Sequence, residues 1–120
     1  MIILDTNIFI YIANGAVSKE MIEKYDIAYS VASKIEALGY ADISVQENSK
    51  LTQLFSMSIG LDISQAIANT AIRLKQEKRM TLGDAIIAAT ALVYDCSLWT
   101  ANIDDFKHIQ GLKLHNPLEG

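Results

Sequence analysis

The sequence predicts an α/β protein: a three-layer α/β/α sandwich with a short parallel sheet at its centre. Short β-type runs alternate with stretches of helical period along the chain, and that alternation favours parallel strands joined by crossover helices. The segments between the runs are long enough to hold those crossovers. Across 120 residues there is no internal repeat, low-complexity tract or Pro/Gly/Ser-rich linker, so residues 1–120 are expected to form a single domain.

Ile2-Ile3-Leu4 is the first β-type run and ends at Asp5. Ile8 to Ala13 reads IFIYIA, which suits a buried strand as well as a helix. Ile27-Ala28-Tyr29 is the second run, ending at Ser30. From Val31 the period turns helical, with Val31, Ile35 and Leu38 spaced by four and three, and Leu51, Leu54 and Phe55 continue it in the next segment. A short strand is expected around Ser58 to Leu61, punctuated by Gly60. The clearest helix sets Ile63, Ile67, Thr70, Ala71 and Leu74 on one stripe against Gln65, Asn69, Arg73 and Gln76, with Ser64 as its cap. Ala85 to Tyr94 is apolar all round, the pattern of a helix buried between layers. Ser97-Leu98-Trp99-Thr100 and Leu112-Lys113-Leu114 supply the last two strands.

Composition narrows the class. At 51% hydrophobic and 20% charged residues with a single proline, the chain buries a core and is not disordered. Its longest nearly unbroken apolar stretch, Ala85 to Tyr94, is ten residues, short of the roughly 18 that a membrane span needs. Met1-Ile2-Ile3-Leu4 reaches Asp5 without a basic region, so no signal peptide is read. One cysteine, Cys96, excludes an internal disulfide and reads as a small core filler, which fits a reducing cytoplasm. The six glycines are scattered, so no phosphate-cradling loop is present. There is no Ser-His-Asp arrangement, and His108 and His115 read as surface or structural residues far from the acidic motifs. Arg73, Lys75, Lys78 and Arg79 form a basic segment, read either as a solvated helix face or as a grip on phosphates.

The carboxylates carry the chemistry. Glu20, Glu23, Asp26, Glu47, Glu77 and Glu119 stand in polar company and read as surface. Asp5 instead follows the first strand, Glu36 sits in the helix after the second, Asp84 opens the apolar helix, and Asp104 and Asp105 follow the strand Ser97–Thr100. In an open parallel sheet, ligands bind beyond the carboxyl ends of the strands. Carboxylates gathered there repel one another, and a divalent cation removes that cost. With oxygen ligands and neither His nor Cys beside them, the ion is a hard one, Mg²⁺ with Mn²⁺ as a substitute. Each residue also has a plain structural role. Thr81 and Asp84 have the spacing of a capping box, Asp5 suits a helix cap, Glu36 a helix edge, and Asp104 and Asp105 a turn.

Together, Leu4-Asp5-Thr6-Asn7, Glu36, the stretch Asp84 to Leu92 and the turn Thr100-Ala101-Asn102-Ile103-Asp104-Asp105-Phe106 resemble the PIN-domain nucleases, in particular the VapC-like toxins of toxin–antitoxin pairs. The resemblance runs along essentially the whole chain. It implies a Mg²⁺-dependent, single-strand-specific endoribonuclease, a homodimer, and a small cognate antitoxin that silences it. Asp5 and Asp84 match the family's metal-binding positions and Glu36 its helix glutamate. Many members carry an aspartate where this chain has Asn102, so Asn102, Asp104 and Asp105 all remain candidates for the fourth position. Thr6, Asn7 and Thr100 are placed to hydrogen-bond the carboxylates.

Two other classes compete. A receiver-like phospho-acceptor domain is also a small acidic α/β unit that holds Mg²⁺. Here, however, one Asp rather than an acidic pair ends the first strand, and no lysine clearly ends a late one. A PIN-like scaffold or RNA-binding module with failed catalysis is the other. The net charge of −4, from 10 Lys+Arg against 14 Asp+Glu, argues against a positively coated nucleic-acid binder. If Asp5, Glu36, Asp84 and Asp105 share one pocket, −4 + 4 leaves the rest of the chain neutral, and the acidic balance reports a metal site.

Overall fold

β1 (Ile2–Leu4) is the middle strand of a five-stranded, all-parallel sheet in the computed structural model, which describes residues 1–119. β2 (Ile27–Ser30) lies on one side of it and β4 (Ser97–Trp99) on the other. β3 (Ile59–Leu61) and β5 (Leu114–His115) form the edges, giving the order β3-β2-β1-β4-β5. The connections run through α1 (Thr6–Ala13), α2 (Lys19–Ile22), α3 (Val31–Leu38), α4 (Val45–Ser56), α5 (Gln65–Glu77) and α6 (Leu82–Tyr94).

The three layers follow from side-chain alternation along the strands. Ile3, Ala28 and Leu98 point into a core shared with α5 and α6, where Ile67, Ala71, Leu74 and Ile87 pack. Ile2, Leu4, Tyr29 and Trp99 point the other way, onto α1 and α4. There Phe9 packs against Phe55 with ring centroids 4.5 Å apart, and Tyr29 packs against Phe55 at 4.8 Å. Pairs of this kind contribute about 1 kcal/mol each beyond the area they bury.

The ambiguous segment Ile8–Ala13 is helical, and its cap explains why. Asp5 is extended, and its Oδ1 accepts the Thr6 N–H at 2.8 Å, which starts α1 on the first residue after the strand. Ser30 and Ser64 start α3 and α5 in the same way, and α4 carries a full capping box between Ser44 and Glu47. Ser18 caps α2, a four-residue helix that periodicity did not indicate.

Four expectations need correction. The stripe Val31/Ile35/Leu38 is not the buried face of α3, because Ile35 is 69% exposed while Ala32, Ser33 and Ala37 are buried. α3 packs against both α1 and α6, and only small side chains admit neighbours on two sides. Ile63 precedes the cap Ser64, lies outside α5 and is exposed. α6 is not buried all round, since Leu82, Val93 and Tyr94 are exposed at its ends. The last strand is Leu114–His115, placed by pairing with Leu98 and Trp99 and not by apolar content. Cys96 is a buried member of the α6 core, as expected. Among the described residues no helix is long and apolar enough to cross a membrane.

Candidate functional site

Strand order reverses between β1 and β4: the chain builds outward on one side of β1 through β2 and β3, then returns to the other side for β4 and β5. At such a switch point the loops leaving the two strands diverge and open a crevice at their carboxyl ends. Asp5 leaves β1 at that crevice and Thr100 leaves β4. The Asp5 N–H donates to Trp99 O at 2.9 Å, so the two strand ends stay bound up to the site.

Asp5 is 5% exposed and held through both carboxylate oxygens. Oδ1 accepts from Thr6 N, and Oδ2 accepts from the Thr100 hydroxyl at 2.8 Å. Thr100 Oγ1 in turn accepts from the Asn102 N–H at 3.0 Å, tying the turn after β4 to β1. The Thr6 hydroxyl donates to Glu36 Oε1 at 2.8 Å and lies 3.1 Å from Ser33 Oγ. Because Thr6 has one hydroxyl proton and gives it to the carboxylate, the Ser33 hydroxyl donates to Thr6. Thr6 and Thr100 therefore stand where the sequence placed them, bonded to carboxylates. Asn7 is half-buried and forms no such side-chain bond among the described residues.

Glu36 reaches α6. A Cβ built on Gly83 would lie 2.5 Å from Glu36 Oε2 and 3.1 Å from Oε1, so the carboxylate rests against the bare backbone beside Asp84. Asp84 lies in the first turn of α6. Thr81 Oγ1 accepts its N–H at 3.2 Å, the Thr81 side chain also holds the carboxyl down somewhat, and Asp84 lines the crevice. Of the candidates after β4, Asp104 is exposed and paired with Lys107 Nζ at 3.0 Å. Asn102 is exposed and makes no side-chain cap bond. Asp105 is the one that acts on the other carboxylates.

The electrostatics show the convergence. Burial raises the Asp5 carboxyl above its ordinary value, partly offset by its bonds to Thr100 and Thr6, and Glu36 and Asp105 push it further up. Asp84 is pushed up to about 6, first by burial, then by Asp5, Asp105 and Glu36. No cation lies within ion-pair distance of any of the four among the described residues. No three of their carboxylates stand close enough to enclose an ion as they sit. The donor set nonetheless suits Mg²⁺, which keeps several waters and binds through one or two carboxylates.

Sequence reasoning missed two residues here. Gly83 carried a signal, because a glycine inside a helical pattern costs about 1 kcal/mol and implies a close approach. His108 lines the same cavity as Asp84 and Asp105, contrary to its reading as a residue far from the acidic motifs. The short helical turn Ile103–Asp105 and the turn residues that follow it bring it back. A separate groove beside Phe9, Ile22 and Tyr25 lies at the amino ends of β2 and β3, away from the carboxylates.

The model of the PIN domain matches residues 2–112. This chain belongs to the PIN-domain family. Ribonuclease VapC1 of Rickettsia felis is 33% identical over 94% of this chain and 93% of its own. A toxin–antitoxin complex from Klebsiella pneumoniae contains a chain 31% identical, with TM-score 0.81 over 98% of each. The VapBC2 complex of Rickettsia felis, bound to a DNA fragment from its promoter, contains one 28% identical, with TM-score 0.83 over 97% of this chain and 98% of that one. The parallel sheet flanked by helices is thus the PIN fold, and the receiver-like reading falls away.

The raised carboxyls make a stability prediction. Between pH 3.8 and about 6 the folded chain binds more protons at Asp84 than the unfolded chain does, so in chelator its stability falls as pH rises through that window. Asp84→Asn removes the burden. After allowance for screening at a partly exposed group, the gain is about 1 kcal/mol at pH 7, or ~4 °C in a domain of this size. Thermal melts in EDTA should show the variant above wild type at pH 7 and level with it near pH 4. A variant below wild type at pH 7 would contradict the repulsion.

Proposed function

We propose that this protein is a Mg²⁺-dependent, single-strand-specific endoribonuclease acting in the cytoplasm as the toxin of a toxin–antitoxin pair. One observation carries the reading: Glu36 and Asp105 bear on the raised carboxyls of Asp5 and Asp84 at the switch point, and among the described residues none of the four has an ion-pair partner. The relatives named as VapC ribonucleases and as toxin–antitoxin complexes support the substrate and a small cognate antitoxin. The exposed Ile35 and Leu82, on the two helices that carry Glu36 and Asp84, support a homodimer.

Asp5 and Asp84 are the residues that hold the cation, with Mn²⁺ able to replace Mg²⁺. The bound ion supplies polarisation of the scissile phosphate and a water acidified for in-line attack. Thr100 and Thr6 fix the orientation of Asp5, so its oxygens need not reorganise when substrate arrives. Thr6 holds Glu36 through Oε1, which leaves Oε2 to orient a water beside Gly83. Asp105 accepts from further waters on the opposite wall. Asn102 braces the turn through its backbone bond to Thr100, and its side chain is free to orient substrate or water. A non-catalytic PIN scaffold is the second reading, favoured by the uncharged Asn102.

Asp5→Asn and Asp84→Asn should each lower Mg²⁺-dependent cleavage of single-stranded RNA by at least ~100-fold, equivalent to about 3 kcal/mol. Full activity in both variants rules the reading out. Gly83→Ala separates site geometry from stability. Its Cβ displaces the Glu36 carboxylate, so cleavage should fall by roughly tenfold. The helix meanwhile gains about 1 kcal/mol from alanine, so Tm should not drop. A melt and a cleavage assay on the same sample check both.

A further inference from the structure

We propose that the cavity between the Lys78–Thr81 segment and the turn after β4 is a phosphate-gripping subsite for the single strand being cleaved, with Lys78, Arg79 and His108 as its anion-binding wall. This rests on the nuclease reading and extends it from the reacting centre to the strand beside it.

The cavity is about 360 Å³, roughly ten times the ~30 Å³ share of one water, and Asp84, Asp105 and the Lys107-paired Asp104 form its other wall. The neighbouring cations are already committed. Arg73 pairs with Glu77 at 3.1 Å, Lys75 Nζ donates to Met80 O at 2.8 Å, and Lys107 pairs with Asp104. Among the described residues Lys78 and Arg79 have no ion pair and no side-chain hydrogen bond, though Asp84 and Asp105 line the same cavity. They remain available to an anion.

His108 is the independent sign. Both ring nitrogens are shielded from water, and neither has a hydrogen-bond partner among the described residues. His108 is half-buried, but ring nitrogens shielded from water are bonded in nearly all proteins, so an orphaned pair beside a cavity points to a ligand. In either tautomer one ring nitrogen carries an N–H, the donor an anion in the cavity would take.

The charge layout selects the ligand. A lone anion would be drawn to Lys78 and Arg79 and repelled by the facing carboxylates. A phosphodiester strand resolves this, because successive phosphates sit one nucleotide apart. One lies over the carboxylates and their cation while its neighbour lies on Lys78, Arg79 and His108. An acidic peptide lacks that repeat.

Fluorescence anisotropy with a labelled single-stranded oligodeoxynucleotide in EDTA tests the wall without cleavage. Wild type should bind at low salt, and each phosphate contact contributes a slope of about −0.7 in log K against log salt. Lys78→Gln/Arg79→Gln should weaken binding about tenfold and flatten the slope by roughly one. His108→Phe should weaken it several-fold, with His108→Gln, which keeps a donor, recovering most of the loss. With RNA and Mg²⁺, the double variant should raise KM and leave kcat near wild type, with Tm unchanged. Unaltered slope, affinity and KM in the double variant overturn the proposal, as does displacement by a polyglutamate peptide but not by RNA. If the oligonucleotide results hold while wild type cleaves no RNA, the subsite stands and the nuclease reading fails.

Discussion

Asp5 holds the site together by being bonded twice. Its Oδ1 starts α1, and its Oδ2 takes the hydroxyl of Thr100 from the strand next door. One buried carboxylate thus sets where the first helix begins and where the turn after β4 lies. Glu36 and Asp105 both act on this carboxylate and on Asp84, and Asp5 acts on Asp84 as well, each disfavouring the charged form there. The fold tolerates the repulsion because the strand ends and the two threonines fix the groups from behind. A divalent cation at their front would offset it.

Helix packing brings in the remaining carboxylates. α3 and α6 carry Glu36 and Asp84; the two helices pack together, the buried positions of α3 are the small Ala32, Ser33 and Ala37, and on α6 the bare Gly83 meets Glu36. Gly83 admits the Glu36 carboxylate to the first turn of α6, where the free N–H groups and the helix dipole favour negative charge. The price is a helix start weakened by glycine. Local structure gives way to site geometry there, as it does at functional positions generally.

Most of the architecture was legible because short apolar runs and helical stripes are direct consequences of a sheet covered on both faces. What was not legible depended on neighbours. Ile35 is on an apolar stripe by spacing yet faces solvent, since α3 is wedged between two helices and needs small residues there. The last strand is defined by pairing with Leu98 and Trp99, a property absent from its own sequence. Asp5, Glu36 and Asp84 stood out as carboxylates at element starts. The choice among Asn102, Asp104 and Asp105 waited on the turn, where Lys107 engages Asp104. His108 was invisible for the same reason, because only the tight turn returns it to the cavity.

Lys78, Arg79 and His108 share one cavity with Asp84 and Asp105, which is the arrangement a chain of net charge −4 would need to engage a polyanion. On the proposed function, Asp5 and Asp84 bind the cation beside Glu36 and Asp105, and protons held at the site must leave when the ion binds. Calorimetric titration of Mn²⁺ in two buffers of different ionisation enthalpy counts those protons. The account predicts net proton release at pH 6, where Asp84 is about half protonated, falling to none at pH 8. Mn²⁺ binding with equal proton release at both pH values, or no binding at all, would contradict it.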